Sequence, residues 1–323
     1  MDKTTWQRHK RHNTVQSAAL LFAMAALLGL LGWVLLGGWI GLALACGVAA
    51  TLFVFSPNVA PKLILRMYRA RRLTPRNASG LTEMLDELSR RAELPIAPTL
   101  HYIPSRMINA FAVGTPEQSA VALTDGLLRT LTPREVAGVL AHEVSHIRHF
   151  DTRAMGLADM FSRLTGTLSS IGQILLLVNL PLVLLSSAYT ISWTAIVLLL
   201  LAPTIASMMQ LALSRTREFD ADLGAAALTG DPEGLASALA KMERYQGRFF
   251  EQIVMPGRKV PEPSMLRSHP PTAERIERLL EVRTGSPAPK QLPGPAPDGL
   301  INVHDRIPVV ARPPRWRVMG LWY

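Results

Sequence analysis

Two long stretches without a charged side chain limit what this chain can fold into more than any other feature. They cover residues 13–61 and 164–214 and are rich in Leu, Ile, Val and Ala. A membrane-spanning helix takes about 20 residues, so each stretch is long enough for two such helices joined by a turn. The sequence therefore predicts two transmembrane helical hairpins. Their helices are expected at about 18–36 and 39–56, with Gly37-Gly38 as the turn, and at about 168–188 and 191–211.

The overall charge fits a membrane protein. Hydrophobic residues make up 49% of the 323 residues, and 34 Lys and Arg against 24 acidic residues give a net charge of +10. Much of the basic excess lies beside the uncharged stretches, as between Lys62 and Arg76. By the positive-inside rule, we expect the N-terminus and the charged segments in the cytoplasm. The basic cluster lacks a nucleic-acid-binding motif, so the expected partner is the lipid bilayer and not nucleic acid.

A helix between the two stretches carries the motif H-E-x-x-H. Thr132 and Glu135 form a predicted capping box around Pro133, and the apolar residues that follow predict a helix over about 133–149. Positions four apart share one face of a helix, so His142 and His146 can bind one zinc ion. Glu143 then lies beside the ion, where it can act as a general base. This is the core of a hydrolase.

A third ligand must come from elsewhere in the chain. A metzincin would place a third histidine at position 152, which is Thr, and His149 lies too far along the helix axis to reach the same ion. The single cysteine lies in an apolar stretch and excludes a thiolate site. Glu218 and Asp222 share a helical face, which fits one metal ligand and one carboxylate that orients a histidine. A solvated acidic helix is the alternative.

The remaining charged segments predict a small α+β domain. An amphipathic helix is expected over 80–94, followed by an antiparallel sheet of strands at 99–103, 109–113 and 119–124. The strand at 109–113 is either a structural strand or an edge that binds an extended peptide beside the metal. Further helices are expected over 215–228, 231–247 and about 272–282, and a Pro-rich flexible tail over 283–323.

Several short motifs occur together along the chain. They are His142-Glu143-x-x-His146, Glu218-x-x-x-Asp222, Asn109-Ala110-Phe111-Ala112, Ser268-His269-Pro270-Pro271 and Arg275. In this combination the chain resembles the HtpX family of membrane zinc proteases, which is related to the CAAX prenyl endopeptidases. The resemblance runs from the first apolar hairpin to about residue 282, and the tail has no counterpart in it.

The resemblance implies a role for each matching residue. Glu218 becomes the third zinc ligand and Asp222 supports the ligands, while His269 faces the substrate oxygen. Arg275 is a candidate for active-site support, although it can equally pair with Glu274 or Glu277 on its own helix. The substrate-binding strand consists of Asn109, Ala110, Phe111, Ala112 and Val113.

The predicted protein is a mainly α, multi-pass membrane protein with a cytoplasmic zincin-like α+β metalloprotease domain. Its expected segments are 1–61 with the first hairpin, 62–163 with the motif helix, 164–214 with the second hairpin, 215–282 with the third ligand, and the tail 283–323. The expected membrane is a bacterial inner membrane, with the N-terminus, the catalytic domain and the C-terminus in the cytoplasm.

The predicted activity is zinc-dependent hydrolysis of peptide bonds, with one Zn²⁺ per chain. Arg215 ends the second uncharged stretch three residues before Glu218, about 4.5 Å along a continuous helix, so we expect the zinc near the membrane surface. The expected substrates are membrane proteins, their juxtamembrane segments or unfolded proteins. By the resemblance, the role is protein quality control in stress response. The alternatives are a membrane zinc-binding scaffold and a catalytically silent homologue; the oligomeric state stays open.

Overall fold

The computed structural model describes residues 3–54, 61–185, 192–253 and 272–282, which form ten helices and four strands. The helices are α1 (Lys3–Leu36), α2 (Gly38–Val54), α3 (Pro61–Met67), α4 (Ser79–Arg91), α5 (Asp125–Thr130), α6 (Pro133–Arg148), α7 (Asp151–Leu184), α8 (Trp193–Thr229), α9 (Pro232–Ile253) and α10 (Thr272–Val282). The strands are β1 (Arg71–Arg72), β2 (Thr99–Ile103), β3 (Ala110–Thr115) and β4 (Gln118–Thr124). The chain is thus mostly helical, as its sequence predicts.

The chain divides into two compact units. The first is drawn from Met1–Lys10, Asn58–Thr152 and Arg217–Tyr323, and the second from Arg11–Pro57 and Arg153–Thr216. Each unit has its own apolar core, and each is described separately below.

The second unit contains the apolar parts of the long helices. Three helices of the described chain are long and apolar enough to cross a membrane, namely Arg11–Leu36, Asp151–Leu184 and Trp193–Thr229, and the apolar helix Gly38–Phe53 is shorter. Gly37 and Gly38 form the predicted turn, with φ angles of +79° and +62° that favour glycine. The connection between the helices expected at about 168–188 and 191–211 lies outside the described residues, so the number of membrane crossings stays a prediction.

The sheet of the first unit is mixed, so the predicted antiparallel sheet is wrong in part. Its strand order is β1-β2-β4-β3: β3 and β4 form an antiparallel hairpin, but β2 pairs with β4 in parallel. The chain crosses over between β2 and β3 before it returns along β4. The short strand β1, which pairs with β2, was not predicted, because its arginines belong to the exposed basic cluster.

Alternation along β4 gives the sheet two apolar faces. Val121 and Leu123 point into the main core, which α4, α6, α9 and the C-terminal end of α8 complete. Ala120 and Ala122 point to the other face, against a smaller cluster around Leu65 of α3. Both the sheet and α9 pack against α6, which is buried along most of its length.

The two helices that carry the site differ in how well the sequence predicts them. The capping box of α6 is present, since Thr132 and Glu135 hydrogen-bond each other's backbone N–H groups. In contrast, α8 is one continuous helix from Trp193 to Thr229, which joins the span expected at about 191–211 to the helix expected over 215–228. Arg215 and Arg217 change the polarity of the helix but do not interrupt its backbone hydrogen bonds. The prediction of α10 is confirmed.

Candidate metal centre

The two motif histidines project from one face of α6 towards a common point. Their Nε2 atoms lie 3.0 Å apart, and both side chains are largely buried. The helix presents this face inward because Val139, Leu140 and Val144 belong to the main core. The histidine pair is therefore held by the packing of α6 and does not depend on a surface loop.

Helix α8 adds a carboxylate to the pair. The Oε2 atom of Glu218 lies 3.4 Å from His142 Nε2, and its Oε1 atom lies 3.7 Å from His146 Nε2. The close approach of α8 to α6 requires Gly224, where an added Cβ would meet the Ser145 hydroxyl oxygen at 2.0 Å. One ligand atom from each of His142, His146 and Glu218 lies within 4.8 Å of the others.

This ligand set fits a zinc ion. Tetrahedral zinc with nitrogen and oxygen ligands at about 2.0–2.1 Å places its ligand atoms roughly 3.3 Å apart, close to the observed spacing. The electrostatics agree: burial lowers the pKa of His142, but the carboxylates of Asp222 and Glu218 raise it to about 10. Burial also lowers the pKa of His146, and Asp151 and Glu218 raise it by more. The cluster therefore favours a cation among its ligand atoms.

Asp222 and Arg275 support the first histidine. Asp222 Oδ1 lies 3.0 Å from His142 Nδ1, the ring nitrogen that faces away from Glu218. Arg275 of α10 donates two hydrogen bonds to the Asp222 carboxylate, at 2.8 and 2.7 Å, and its Nη1 lies 3.1 Å from Glu218 Oε2. Of the acids proposed as alternative partners, Glu274 pairs with Arg278. The structure thus brings Arg275 to the carboxylates of α8.

Asp151, which no sequence motif predicts as part of the site, contacts the second histidine. Its Oδ2 atom lies 2.8 Å from His146 Nδ1, and Arg217 donates a hydrogen bond of 3.2 Å to its Oδ1. A spacing of five residues is not a helical contact, so the periodicity of α6 does not indicate this pair. The only signal in the sequence is an acidic residue just after a predicted helix end.

Glu143 and His142 line a small cavity. The cavity has a volume of about 100 Å³, and its lining includes Asn109, Ala110, His142, Glu143 and Arg275. On its apolar side lie Val139, Leu235, Leu239 and Met242. A reacting group in this cavity would meet both the Glu143 carboxylate and His142, one of the candidate metal ligands.

The predicted substrate strand lies partly at this cavity. Strand β3 is the last strand in the described sheet, so it is an edge. Of its residues, Ala110 reaches the cavity together with the preceding Asn109, whereas Phe111 packs against Tyr68 and Val113 is buried on the other face. Ala112 faces Val121 of β4. His269 lies outside the described residues.

Most of the sequence matches a known peptidase family. The model of peptidase family M48 matches residues 75–283, a range that contains every described residue of the candidate centre. The chain therefore belongs to peptidase family M48, and it is a membrane metalloprotease.

Similar proteins within this family give a more specific description of the protease. A protease HtpX homologue of Paraburkholderia phytofirmans is 38% identical over 291 residues, which cover 84% of this chain and 98% of the relative. A protease HtpX homologue of Campylobacter concisus is 36% identical over 278 residues, 81% of this chain and 95% of the relative. The crystal structure of S. mikatae Ste24p is similar with a TM-score of 0.43 and 18% identity, over 84% of this chain and 66% of that chain. The family assignment rests on the sequence matches.

Proposed function

We propose that this protein is a zinc endopeptidase that cleaves membrane proteins or their juxtamembrane segments. One Zn²⁺ per chain is bound by His142, His146 and Glu218. The observation that carries the proposal is the convergence of these three ligands, of which His142 and Glu218 are buried and His146 is half-buried, together with a cavity that His142, Glu143 and the start of the edge strand line. A catalytic zinc site has three protein ligands and leaves one position for the reaction.

Each residue of the centre has a defined task in peptide hydrolysis. A bound zinc ion supplies Lewis-acid activation of water and of the scissile carbonyl group. Glu143 accepts a proton from the attacking water and returns it to the leaving nitrogen. Asp222, fixed by Arg275, orients His142. His269 is proposed to stabilise the developing oxyanion, on the basis of the family resemblance alone.

The substrate is proposed to bind as an extended strand along β3. An edge strand has unpaired backbone N–H and C=O groups, which can pair with a peptide backbone without regard to its side chains. The segment formed by Asn109, Ala110, Phe111, Ala112 and Val113 would then place the scissile bond over the cavity. This mode of binding suits a protease that acts on many unfolded or membrane-protein substrates in quality control.

We further propose that residues 62–163 and 215–282 form a cytoplasmic catalytic domain in a bacterial inner membrane. The basic residues between Lys62 and Arg76 support this orientation by the positive-inside rule. Glu218 follows Arg215 by less than one turn of α8, so the proposed zinc lies near the end of an apolar helix segment. Substrates that emerge from the bilayer can reach such a position.

The first test is proteolysis of a model membrane substrate by the purified full chain. Glu143→Gln should retain zinc and lose cleavage by at least about 100-fold, because it removes the general base. Glu83→Gln, an exposed replacement of the same kind on α4, should cleave like the wild type. A chelator should abolish cleavage and added Zn²⁺ should restore it. Undiminished cleavage by Glu143→Gln, or by the chelated protein, would contradict the proposal.

The second test separates substrate classes. Cleavage of a membrane substrate in liposomes is compared with cleavage of a soluble unfolded protein in detergent, at matched enzyme concentration. Faster cleavage of the membrane substrate is expected. Equal rates would count against a preference for membrane proteins and leave the endopeptidase activity standing.

A further inference from the structure

A second aspartate stands behind the metal ligands. Asp151 Oδ2 lies 2.8 Å from Nδ1 of His146, and its carboxylate is almost fully buried, with 3% of its side-chain surface exposed. An ionised carboxylate only accepts hydrogen bonds, so His146 donates from Nδ1. The proton is then fixed on Nδ1, and the lone pair of Nε2 faces His142 and Glu218.

Arg217 holds this aspartate from the other side. It donates to Asp151 Oδ1 at 3.2 Å, while Oδ2 accepts from His146, so the carboxylate bridges a guanidinium and an imidazole. Arg217 is the neighbour of Glu218 in α8. The helix that supplies the third ligand thus also supplies the cation that positions Asp151.

The backbone between the two helices brings Asp151 back towards His146. Helix α6 ends at Arg148 with His149 as its C-cap, and Phe150 then adopts a left-handed conformation with φ +56°. Asp151 is the first residue of α7. A left-handed residue after a helix end reverses the chain, and here the reversal makes a five-residue separation a direct contact.

A related arrangement occurs on the first histidine, although the contact between its Nδ1 atom and the aspartate does not have hydrogen-bond geometry. Arg275 holds Asp222, and Asp222 contacts Nδ1 of His142. Each histidine therefore has its own Arg–Asp pair on Nδ1, while both Nε2 atoms lie on the side of Glu218. The two pairs come from different parts of the chain.

We propose that Asp151, held by Arg217, is a positioning residue for His146 as a metal ligand. It fixes the tautomer and the ring plane of His146 and makes Nε2 a better donor to the metal. The inference rests on the proposed metal site. Carboxylate partners of metal-binding histidines typically contribute 10–100-fold to metal affinity, so we expect an effect of that size.

The test is zinc affinity of the full chain in detergent, measured by competition with a chromophoric chelator, for the wild type, Asp151→Ala, Asp151→Asn and Arg217→Gln. Asp151→Ala should weaken zinc binding about 10–100-fold. Asp151→Asn keeps an acceptor oxygen and should recover part of this loss. Asp159→Asn is the matched control on α7, because Asp159 pairs with Arg163 in an exposed ion pair and should leave the affinity unchanged.

Two further measurements distinguish positioning from general damage. The visible spectrum of the Co²⁺-loaded protein should change in the Asp151 variants, since it reports the ligand field. Because Arg217 acts through Asp151, the double variant Asp151→Asn/Arg217→Gln should bind zinc no more weakly than Asp151→Asn alone. Asp151→Asn preserves the shape of the side chain and carries the test if Asp151→Ala fails to fold.

The outcomes are distinguishable. Wild-type zinc affinity and an unchanged Co²⁺ spectrum in Asp151→Asn and Arg217→Gln would overturn the positioning role and leave the metal site in place. Fully additive losses in the double variant would also overturn it. If the wild type itself bound no zinc, the proposed metal site would fail, and this inference with it.

Discussion

Replacing Glu135 by Gln should lower the free energy of unfolding of the first unit by about 2 kcal/mol near pH 7, through the loss of one buried charge. Glu135 accepts hydrogen bonds from the Thr132 backbone N–H at 2.7 Å, from Ser237 at 2.6 Å and from Lys241 at 2.7 Å. It therefore caps α6 and also binds α9 to it. The residue is 4% exposed.

The magnitude follows from the pKa of this carboxyl. Burial raises the pKa of Glu135, but the hydrogen bonds from Lys241, Ser237 and Thr132 lower it by more, from the ordinary 4.5 to about 2. Each pKa unit is worth about 1.4 kcal/mol, which gives roughly 3.5 kcal/mol as an upper value. The Lys241 side chain is 31% exposed, and solvent screening reduces the figure to about 2 kcal/mol.

The sign of the pH dependence is fixed by the direction of this shift. Since the folded-state pKa is lowered, the stabilisation is fully present above the ordinary pKa and is lost as the pH falls through about 2. The gap between wild type and Glu135→Gln should therefore be widest above pH 5 and should close in acid.

Thermal unfolding of the full chain in detergent measures this gap, with intrinsic tryptophan fluorescence as the signal. At roughly 2–4 °C per kcal/mol, Glu135→Gln should melt about 5 °C below the wild type at pH 7. Glu83→Gln, on the exposed face of α4, should melt within about 1 °C of the wild type, as surface replacements usually do. A gap of the same size at pH 7 and pH 3 would refute the argument, because the charge would then not be its source.

Two further predictions concern glycine. Gly138→Ala should destabilise the protein by about 1–3 kcal/mol in the same melting assay, because the new Cβ would lie 2.9 Å from backbone atoms of Leu235; Gly156→Ala, with nothing within 4 Å, is the control and should not destabilise. Glu93→Gly should stabilise by about 0.5–1 kcal/mol, since Glu93 follows α4 with φ +56°. Glu93→Ala keeps the left-handed strain, so an equal gain there would contradict the reason given.

The local signals of α6 could be predicted from sequence because they act over three or four residues. The capping box, the apolar face and the histidine spacing all depend on the geometry of a single helix. The shared face of Glu218 and Asp222 is of the same kind. Such patterns indicate which side chains lie together on an element, and the structure places these two carboxylates at the two motif histidines.

The pairing of strands could not be predicted in the same way. Alternation along β2 and β4 is compatible with either direction of pairing, and the choice depends on where the chain crosses between β2 and β3. The antiparallel pairing of β3 with β4 is easier to predict, because Gly114 and Pro116 mark the turn between the two strands. In this hairpin the residues of the turn determine that β3 pairs with β4.

The contact between Asp151 and His146 could not be predicted from the sequence, for a related reason. This contact depends on the left-handed conformation of Phe150, and nothing about a phenylalanine predicts a positive φ. The helix α8 continues through Arg215 for a local reason, because a change from apolar to charged residues does not by itself end a helix. Helices end through caps, glycine or proline, and α8 has none of these between residues 211 and 217.

The order in which the proposed ligands and their partners occur along the chain has a consequence for synthesis. A ribosome that has completed α6 has made both histidines and Glu143, but Glu218 comes only late in α8 and Arg275 only in α10. An unfinished polypeptide therefore has the proposed general base without the full set of proposed ligands. On the proposed mechanism, the protein cannot cut anything, including its own nascent chain, until nearly all of its helices have been translated.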